Sequence, residues 1–273
     1  MAPSAIARSE LVAGLRALGL REGSVVLVHV RMSALGWVVG GSGAVVSALL
    51  EALGPEGTLM AYASWQEHVY HANEWPEEHR AAYVAEPPVF DPATAEAARD
   101  HGRIPERVRT WPGAERSVHP EASMVALGRL ARALTTDHPQ QDAYGPDSPL
   151  GRLVAAGGDV LMLGAPLETL TILHHAEAIA SAPGKRTVTF EIPVRAAGGV
   201  EVRRYTDIDT SRGAYRYEAL ELPSEDEFTT IGTAALDAGI GATGTIGAAT
   251  CHLFPAPELV RFGVDWIDAR FSP

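Results

Sequence analysis

The stretch that decides the fold is Val25-Val26-Leu27-Val28-His29-Val30. Five of its six side chains are aliphatic, and the run has the length of a strand. Because no polar residue alternates with the apolar ones before His29, both faces of this strand are expected to be buried. Strands of this kind occur in sheets that carry helices on each side.

The neighbouring segments alternate between helix and strand. Ser9 opens an amphipathic helix that Gly19 ends, and it precedes the apolar run. A glycine-rich loop and a second helix, ending at Gly54-Pro55, follow the run and lead to an apolar strand over Thr58–Ala63. The alternation predicts an α/β fold with covering helices.

The whole chain, residues 1–273, is predicted to form a single compact domain. The stretch from Ser64 to Pro120 has no long periodic segment, and a long irregular stretch in a compact domain is usually functional. We therefore expect the segment around 64–120 to bind substrate. The other predicted elements are a helix over Ala122–Leu134, a strand over Asp159–Leu163, a helix that begins at Thr169, a hairpin of Thr187–Val194 with Val200–Thr206, a helix over Glu225–Ala238, a strand over Thr245–Phe254 and a C-terminal helix with Leu259 and Trp266.

Composition excludes several classes of function. The formal net charge of −12, from 34 acidic and 22 basic residues, argues against nucleic acid as a partner. No apolar run reaches the length of a membrane span, and the N-terminus lacks the apolar core of a secretory signal. The single cysteine, Cys251, fits a reducing compartment and lies in an apolar strand, so we expect a cytoplasmic protein with Cys251 in its core. The acidic balance suits a cationic substrate but also suits solubility alone.

Two segments could carry chemistry. Gly40-Gly41-Ser42-Gly43 stands directly before the second helix, where it could seat an anion or form an ordinary turn. His174 and Glu177 are three residues apart on a predicted helix and can be neighbours on its surface. A histidine beside a carboxylate can act as a general base, although a structural histidine fits the same pattern.

The irregular stretch offers aromatic and acidic side chains together with two histidines. Tyr62, Trp65 and Glu67 could hold a polyamine sugar by stacking and charge. His68 and His71, with nearby carboxylates, raise a metal site as an alternative. We predict no bound metal.

Eight segments, in order, resemble the aminoglycoside 3-N-acetyltransferases, the antibiotic N-acetyltransferase family that is not of the GCN5-related type. The resemblance covers nearly the whole chain and is lowest from about Arg212 to Gly241. The segments are Leu27–Gly36, Met60–Trp65, Phe90–Thr94, Arg116–Met124, Gly145–Pro149, Leu161–Pro166, Thr171–Glu177 and Pro183–Arg186.

The resemblance implies a layered α/β sandwich with a central mixed sheet and this family's topology. It implies direct transfer of an acetyl group from acetyl-coenzyme A to the 3-amino group of a 2-deoxystreptamine aminoglycoside, which confers antibiotic resistance. His174 would be the general base, Thr171 a hydroxyl donor, and a carboxylate from Asp207, Asp209 or Glu225 would orient the imidazole.

The resemblance also implies the two binding sites. Acetyl-CoA would contact the segment after the first strand and two later turns, through His29, Arg31, Met32, Ser33, Gly40, Gly41, Arg116, Ser117 and Ser148. The aminoglycoside would contact Tyr62, Trp65, Glu67, Asp207 and Glu227. A homodimer is compatible with the sequence, which does not fix the oligomeric state.

Three alternatives remain open at this level. The acyl acceptor could be another amine, the protein could be a metal-dependent hydrolase that uses His68 and His71, or it could bind a cationic drug without catalysis. Each predicts a different result for turnover, metal content or the effect of replacing His174.

Overall fold

A computed structural model of the chain describes residues 5–65, 75–224 and 226–272. The strands, in chain order, are β1 (Ala5–Ile6), β2 (Val25–Val30), β3 (Trp37–Val38), β4 (Thr58–Tyr62), β5 (Glu115–Arg116), β6 (Met124–Gly128), β7 (Asp159–Leu163), β8 (Thr187–Ala196), β9 (Gly199–Ile208), β10 (Ala242–Ile246) and β11 (Ala249–Pro255). The helices are α1 (Arg8–Leu18), α2 (Met32–Leu35), α3 (Gly41–Leu53), α4 (Glu77–Ala85), α5 (Arg103–Arg109), α6 (Ala131–Thr135), α7 (Pro149–Ala155), α8 (Ile172–Ile179), α9 (Glu227–Asp237) and α10 (Ala256–Phe271).

Side-chain hydrogen bonds and a left-handed glycine define the ends of α1 and α9. Glu10 accepts a hydrogen bond from the Ala7 backbone N–H at 2.8 Å, which satisfies an end group of α1. Gly19 ends that helix with a φ of 115°, a left-handed conformation that favours glycine. At α9, the Asp226 carboxylate accepts a hydrogen bond from the Thr229 N–H at 2.7 Å. Caps of this kind stabilise a helix by about 1 kcal/mol.

A mixed sheet of seven strands forms the centre of the molecule, in the order β10-β11-β7-β2-β4-β6-β5. The central strands β7, β2 and β4 are parallel to one another, whereas the outer strands pair antiparallel. This is the layered α/β architecture with a central mixed sheet that the family resemblance implies.

Residues of the sheet strands alternate between two apolar cores, one on each face. In β2, Val25 and Leu27 enter one core, and Val26 and Val28 enter the other. Helices α7, α8 and α10 cover the first face, and α1, α3 and α5 cover the second. The apolar run that defines β2 is therefore buried on both sides, as predicted.

The β8–β9 hairpin stands apart from the central sheet and carries a third apolar cluster. Its two strands pair antiparallel from Thr187↔Ile208 to Ala196↔Gly199. Phe90 joins it by two backbone hydrogen bonds, donating to Pro193 at 2.8 Å and accepting from Arg195 at 2.8 Å. The cluster packs Trp65 and Phe90 against the inner face of the hairpin.

Two sequence expectations are wrong in detail. The predicted helix over Ala122–Leu134 is β6 followed by the short helix α6, because the side chains of β6 alternate between the two cores as in a strand. The irregular stretch contains α4 and α5, which are too short for periodicity to reveal them. Within the three described ranges, none of the helices has the length and apolar character that crossing a membrane requires.

Candidate active site

A cleft of about 700 Å³ opens at the carboxyl ends of the parallel strands β2, β4 and β7. The chain leaves β2 through α2 and α3 on one face of the sheet, whereas it leaves β7 toward α8 on the other face. Open α/β sheets bind ligands where the chain diverges to opposite faces in this way. The lining residues are Val28, His29, Val30, Arg31, Met32, Ser33, Tyr62, Asp100, His101, Gly102, Arg103, Pro105, Ala165, Pro166, Glu168, Thr169, Thr171 and His174.

The turn after β7 directs α8 toward this cleft. Gly164 has a φ of 68°, and a Cβ there would lie 2.9 Å from the Cβ atoms of both Ala34 and Ala249, so the bend requires glycine. A 3₁₀ turn over Leu167–Thr169 then leads into the helix. The side of α8 that faces away from the cleft packs closely on α10. A Cβ on Gly263 of α10 would lie 3.0 Å from the Cβ of Ala176 on α8.

His174 and Glu177 form a hydrogen-bonded pair on α8. The distance between His174 Nδ1 and Glu177 Oε2 is 2.7 Å. The His174 side chain is 19% exposed at the cleft, and that of Glu177 is 0% exposed. Since Glu177 can only accept at its ionised oxygens, Nδ1 carries the imidazole proton and Nε2 is left as the basic nitrogen.

The buried carboxylate of Glu177 has further donors. Tyr217 donates its hydroxyl proton to Glu177 Oε1 at 2.8 Å, and the Ala214 N–H lies 3.4 Å from the same oxygen. Burial first, and then the charge of Glu177, raise the pKa of Tyr217, so the hydroxyl keeps its proton. These donors compensate the cost of burying the carboxylate and fix its orientation.

Two aromatic rings pack around the imidazole of His174. Tyr144 and Phe228 lie 5.2 and 4.8 Å from it, measured between ring centroids. They restrict the ring to its position beside the cleft. In this geometry, His174 can accept a proton from a group bound in the cleft, and Glu177 can stabilise the resulting imidazolium.

The end of β2 and the end of β4 form another wall. Burial, and then the nearby His101, lower the pKa of His29 to about 3, so its imidazole is neutral. His29 Nε2 has no hydrogen-bond partner among the described residues. Tyr62 donates its hydroxyl proton to the Glu121 carbonyl at 2.6 Å, and its ring centroid lies 4.6 Å from that of His101.

The comparisons with known proteins agree with one another. The sequence profile of the aminoglycoside 3-N-acetyltransferase family matches residues 27–268. The chain belongs to this family. Aminoglycoside N(3)-acetyltransferase VIII of Streptomyces fradiae is 52% identical over 268 residues, which are 98% of this chain and 93% of the relative.

Solved structures give the same result. The crystal structure of aminoglycoside acetyltransferase AAC(3)-Xa is 46% identical with a TM-score of 0.93, and the match covers 98% of this chain and 95% of that one. AAC-IIIb in a binary complex with CoASH is 42% identical with a TM-score of 0.89, covering 98% of each chain. The predicted family, fold and enzyme class, an acyltransferase of the aminoglycoside-modifying kind, are confirmed.

Several predicted site residues of this acetyltransferase meet at the cleft. Thr171 lies one turn before His174, and its backbone carbonyl accepts a hydrogen bond from the His174 N–H at 3.1 Å. His29, Arg31, Met32, Ser33 and Tyr62 also line the cleft. Glu227 stands near the His174–Glu177 pair, and burial, followed by the Asp226 and Glu177 carboxylates, raises its pKa.

Other predicted coenzyme contacts lie elsewhere. Arg116 donates to the carbonyls of Ala63 and Ala95 and to Ser123, and burial lowers its pKa to about 10. Ser117 is buried and accepts a hydrogen bond from the Met124 N–H. Ser148 is buried and caps α7 by accepting from Gly151. Gly40 and Gly41 form the left-handed turn that begins α3.

The carboxylates predicted to orient the imidazole occupy other positions. Asp207 contacts His119 and the Ala143 N–H, and Asp209 accepts hydrogen bonds from Ser211 and Arg212. The oxygen on His174 Nδ1 belongs to Glu177 instead. Glu225 and Glu67 lie outside the described residues. Trp65 is 5% exposed and packs on Phe90 in the third apolar cluster.

The sequence analysis names Glu177 as a neighbour of His174 but gives the orienting role to another carboxylate, and it does not name Tyr217. The three-residue spacing places Glu177 beside His174, but spacing alone gives no preference for it over a distant carboxylate. Tyr217 carries no local signal, because it reaches Glu177 from 40 residues away. The histidines of the metal alternative, His68 and His71, lie outside the described residues. Across the described ranges, no group of three or more potential metal ligands is found.

Proposed function

We propose that this acetyltransferase transfers the acetyl group of acetyl-CoA to the 3-amino group of a 2-deoxystreptamine aminoglycoside. The proposal rests on one observation: His174 and a fully buried Glu177 form a hydrogen-bonded pair at the carboxyl ends of the parallel strands. The CoASH complex of AAC-IIIb supports the choice of donor, and the name of the Streptomyces fradiae relative supports the acceptor and its position.

The chain's own residues supply the proton transfer. His174 Nε2 accepts a proton from the attacking amine as the C–N bond forms at the thioester carbonyl carbon. Glu177 holds Nδ1–H and stabilises the imidazolium. When the C–S bond breaks, the thiolate takes that proton and leaves as the free thiol, so the products are an amide and CoA.

Carboxylates beside the cleft suit a polycationic acceptor. Asp100 and Glu168 line the cleft, and Glu227 stands by the His174–Glu177 pair. They would attract ammonium groups and hold the acceptor ring toward His174. Acetylation turns a cationic amine into a neutral amide, which lowers the affinity of the drug for an anionic target such as RNA and confers resistance. Acetyl-CoA is a cytoplasmic metabolite, so the reaction belongs in the cytoplasm.

The test is thiol release from acetyl-CoA with gentamicin, kanamycin and apramycin as acceptors, followed by NMR assignment of the acetylated nitrogen. Release that requires an aminoglycoside, with the acetyl group on the 3-amino nitrogen, supports the proposal. In His174→Gln, kcat is expected to fall by roughly 10²–10⁴-fold, the usual contribution of a general base.

The matched control is His252→Gln, since His252 lies on β11 beside Thr243. It should retain the wild-type kcat. Full activity in His174→Gln would show that His174 is not the general base. If the enzyme acetylates other amines but none of these drugs, the proposed acceptor is wrong.

A further inference from the structure

The segment Pro183–Arg186 connects α8 to β8, and the proposed mechanism gives it no role. Its last two residues, Lys185 and Arg186, carry positive charges and are half-buried. Neither of them lines the active cleft. Any part that they play in the reaction must therefore be exerted through the residues that they bind.

Lys185 binds the carboxyl end of α8, the helix that carries Glu177. Its ammonium group donates to the Ala180 carbonyl at 3.1 Å and also to the Ala178 carbonyl. A cation beside these carbonyls compensates the negative end of the helix dipole. The chain that leaves α8 is thereby fixed to the helix as far as the residue before Arg186.

Arg186 binds the loop of residues 209–218, which follows β9, through four hydrogen bonds. Its backbone N–H donates one, its backbone carbonyl accepts one, and its guanidinium donates two more. The partners, in the same order, are the Ala214 carbonyl at 2.7 Å, the Asp209 N–H at 3.1 Å, the Arg212 carbonyl at 3.1 Å and the Glu218 carboxylate at 2.5 Å. Because three of the four partners are backbone groups, these contacts define the path of the loop.

The Asp209 side chain folds the first part of the same loop. Its Oδ1 atom accepts hydrogen bonds from the Ser211 N–H at 3.1 Å, the Ser211 hydroxyl at 2.7 Å and the Arg212 N–H at 3.3 Å. An aspartate that binds the backbone two residues further on stabilises a tight turn. The turn presents the Arg212 carbonyl to the guanidinium of Arg186.

The 209–218 loop carries two donors to the buried Glu177 carboxylate. The Ala214 N–H lies 3.4 Å from Oε1, and the Tyr217 hydroxyl donates to the same oxygen at 2.8 Å. Arg212 and Glu218, which bind the Arg186 guanidinium, stand on either side of these donors in the chain. The guanidinium therefore holds both ends of the part of the loop that reaches the carboxylate.

We propose that Arg186 and Asp209 are positioning residues, which fold the 209–218 loop so that its two donors reach the buried carboxylate. The inference rests on the proposed function, in which Glu177 orients the imidazole of His174. Neither positioning residue touches a reacting group. When either side chain is removed, the donors move away from Oε1, and the carboxylate is held less firmly beside Nδ1.

The experiment is a double-mutant cycle on kcat, measured with acetyl-CoA and an aminoglycoside for wild type, Arg186→Met, Tyr217→Phe and the double variant. We expect kcat to fall about fivefold in Arg186→Met and about tenfold in Tyr217→Phe. The double variant should lose about tenfold and not about fiftyfold, because Arg186 acts through the hydroxyl that Tyr217→Phe removes. The KM for acetyl-CoA should not change in Arg186→Met, since Arg186 lies outside the active cleft.

Arg152→Met is the matched control for the loss of a guanidinium that holds a loop. The Arg152 guanidinium donates to three carbonyls of another loop, those of Ala133, Thr136 and Asp137. We expect this variant to lower the Tm, as Arg186→Met does, but to keep the wild-type kcat. An equal loss of kcat in the two methionine variants overturns the inference, because a general loosening of the fold would then explain both.

Losses that multiply in the double variant also overturn the inference, since they would show that Arg186 acts independently of Tyr217. If Arg186→Met does not fold, Asp209→Ala takes its place in the same cycle. Its kcat should fall in the wild-type background and stay unchanged in the Tyr217→Phe background. Full activity in His174→Gln contradicts the proposed function, whereas an unchanged kcat in folded Arg186→Met contradicts only the positioning role.

Discussion

Among the described residues, His174–Glu177 and His119–Asp207 are histidine–carboxylate pairs with a buried carboxylate, and they differ in their surroundings. His174 and Glu177 lie 2.7 Å apart, with the imidazole 19% exposed at the cleft. His119 Nε2 and Asp207 Oδ2 lie 3.2 Å apart, and both side chains are 1% exposed. The two pairs share the same chemical groups, so any difference in role comes from what surrounds them.

Protein groups surround both nitrogens of His119. Its Nδ1 accepts a hydrogen bond from the Ala122 N–H at 3.0 Å, so the proton is on Nε2, which lies 3.2 Å from Asp207 Oδ2 without forming a hydrogen bond. Burial lowers the pKa of His119 to about 3. Burial raises the pKa of Asp207 to about 7, although the hydrogen bond from the Ala143 N–H opposes this shift.

The difference shows what the geometry requires of a general base. His174 has a carboxylate on one nitrogen and the cleft on its other side, so it can exchange a proton with a ligand. His119 has no side that faces the cleft, because its side chain is buried. Together with Asp207 it connects β9 to the loop before β6. We infer a chemical role for the first pair and a structural role for the second.

The largest expected effect separates the two carboxylates by activity. Glu177→Gln keeps the shape of the side chain but removes the charge that fixes the tautomer of His174, so kcat should fall by roughly 10²–10⁴-fold. The measurement is single-turnover acetylation by the folded variant. Asp207→Asn is the matched control and should keep its kcat. Equal losses in the two variants would contradict the distinction between the pairs.

The next effect concerns stability and pH. The folded pKa of Asp207, about 7, lies above its ordinary value of 3.8, so ionisation of Asp207 destabilises the fold as pH rises through this range. Replacing Asp207 with Asn removes this pH-dependent loss of stability. The free energy of unfolding of Asp207→Asn relative to wild type should therefore increase with pH, by up to about 1.4 kcal/mol per pH unit, and level off above pH 7.

Urea unfolding from pH 4 to pH 8 measures this difference. The lowered pKa values of His29, His119 and His138, each about 3 through burial, make both proteins less stable as pH falls below 6.5. The part of that trend due to His29, which lines the active cleft, is common to wild type and variant and cancels in the comparison. A difference that does not change with pH would show that Asp207 is ionised throughout.

The smallest expected effect concerns Tyr217, which acts through Glu177. Tyr217→Phe removes one hydrogen bond to a buried carboxylate, and kcat should fall about tenfold. Tyr215→Phe is the control, since Tyr215 contacts the Ala182 carbonyl instead. An equal loss of kcat in Tyr217→Phe and Tyr215→Phe would reduce Tyr217 to a packing residue.

Much of the fold could be predicted because its signals are local. The buried strands β2 and β7, helix α1 and the β8–β9 hairpin have apolar patterns or turns within their own segments. Strand β6 was missed because a five-residue apolar segment fits a buried strand and a buried helix equally well. Helix α5 was missed because it has seven residues and no long apolar period.

The sequence by itself determined the layers of the fold, the family and His174, since these follow from patterns and motifs that lie in continuous segments. Only the tertiary structure decided which carboxylate lies on His174 Nδ1 and which of two similar pairs is sealed in the interior. The contact of Tyr217 with Glu177 depends on a distance between segments far apart in the chain, and the state of each pair depends on burial, which sets the cost of a charge. Neither quantity is present in the order of the residues.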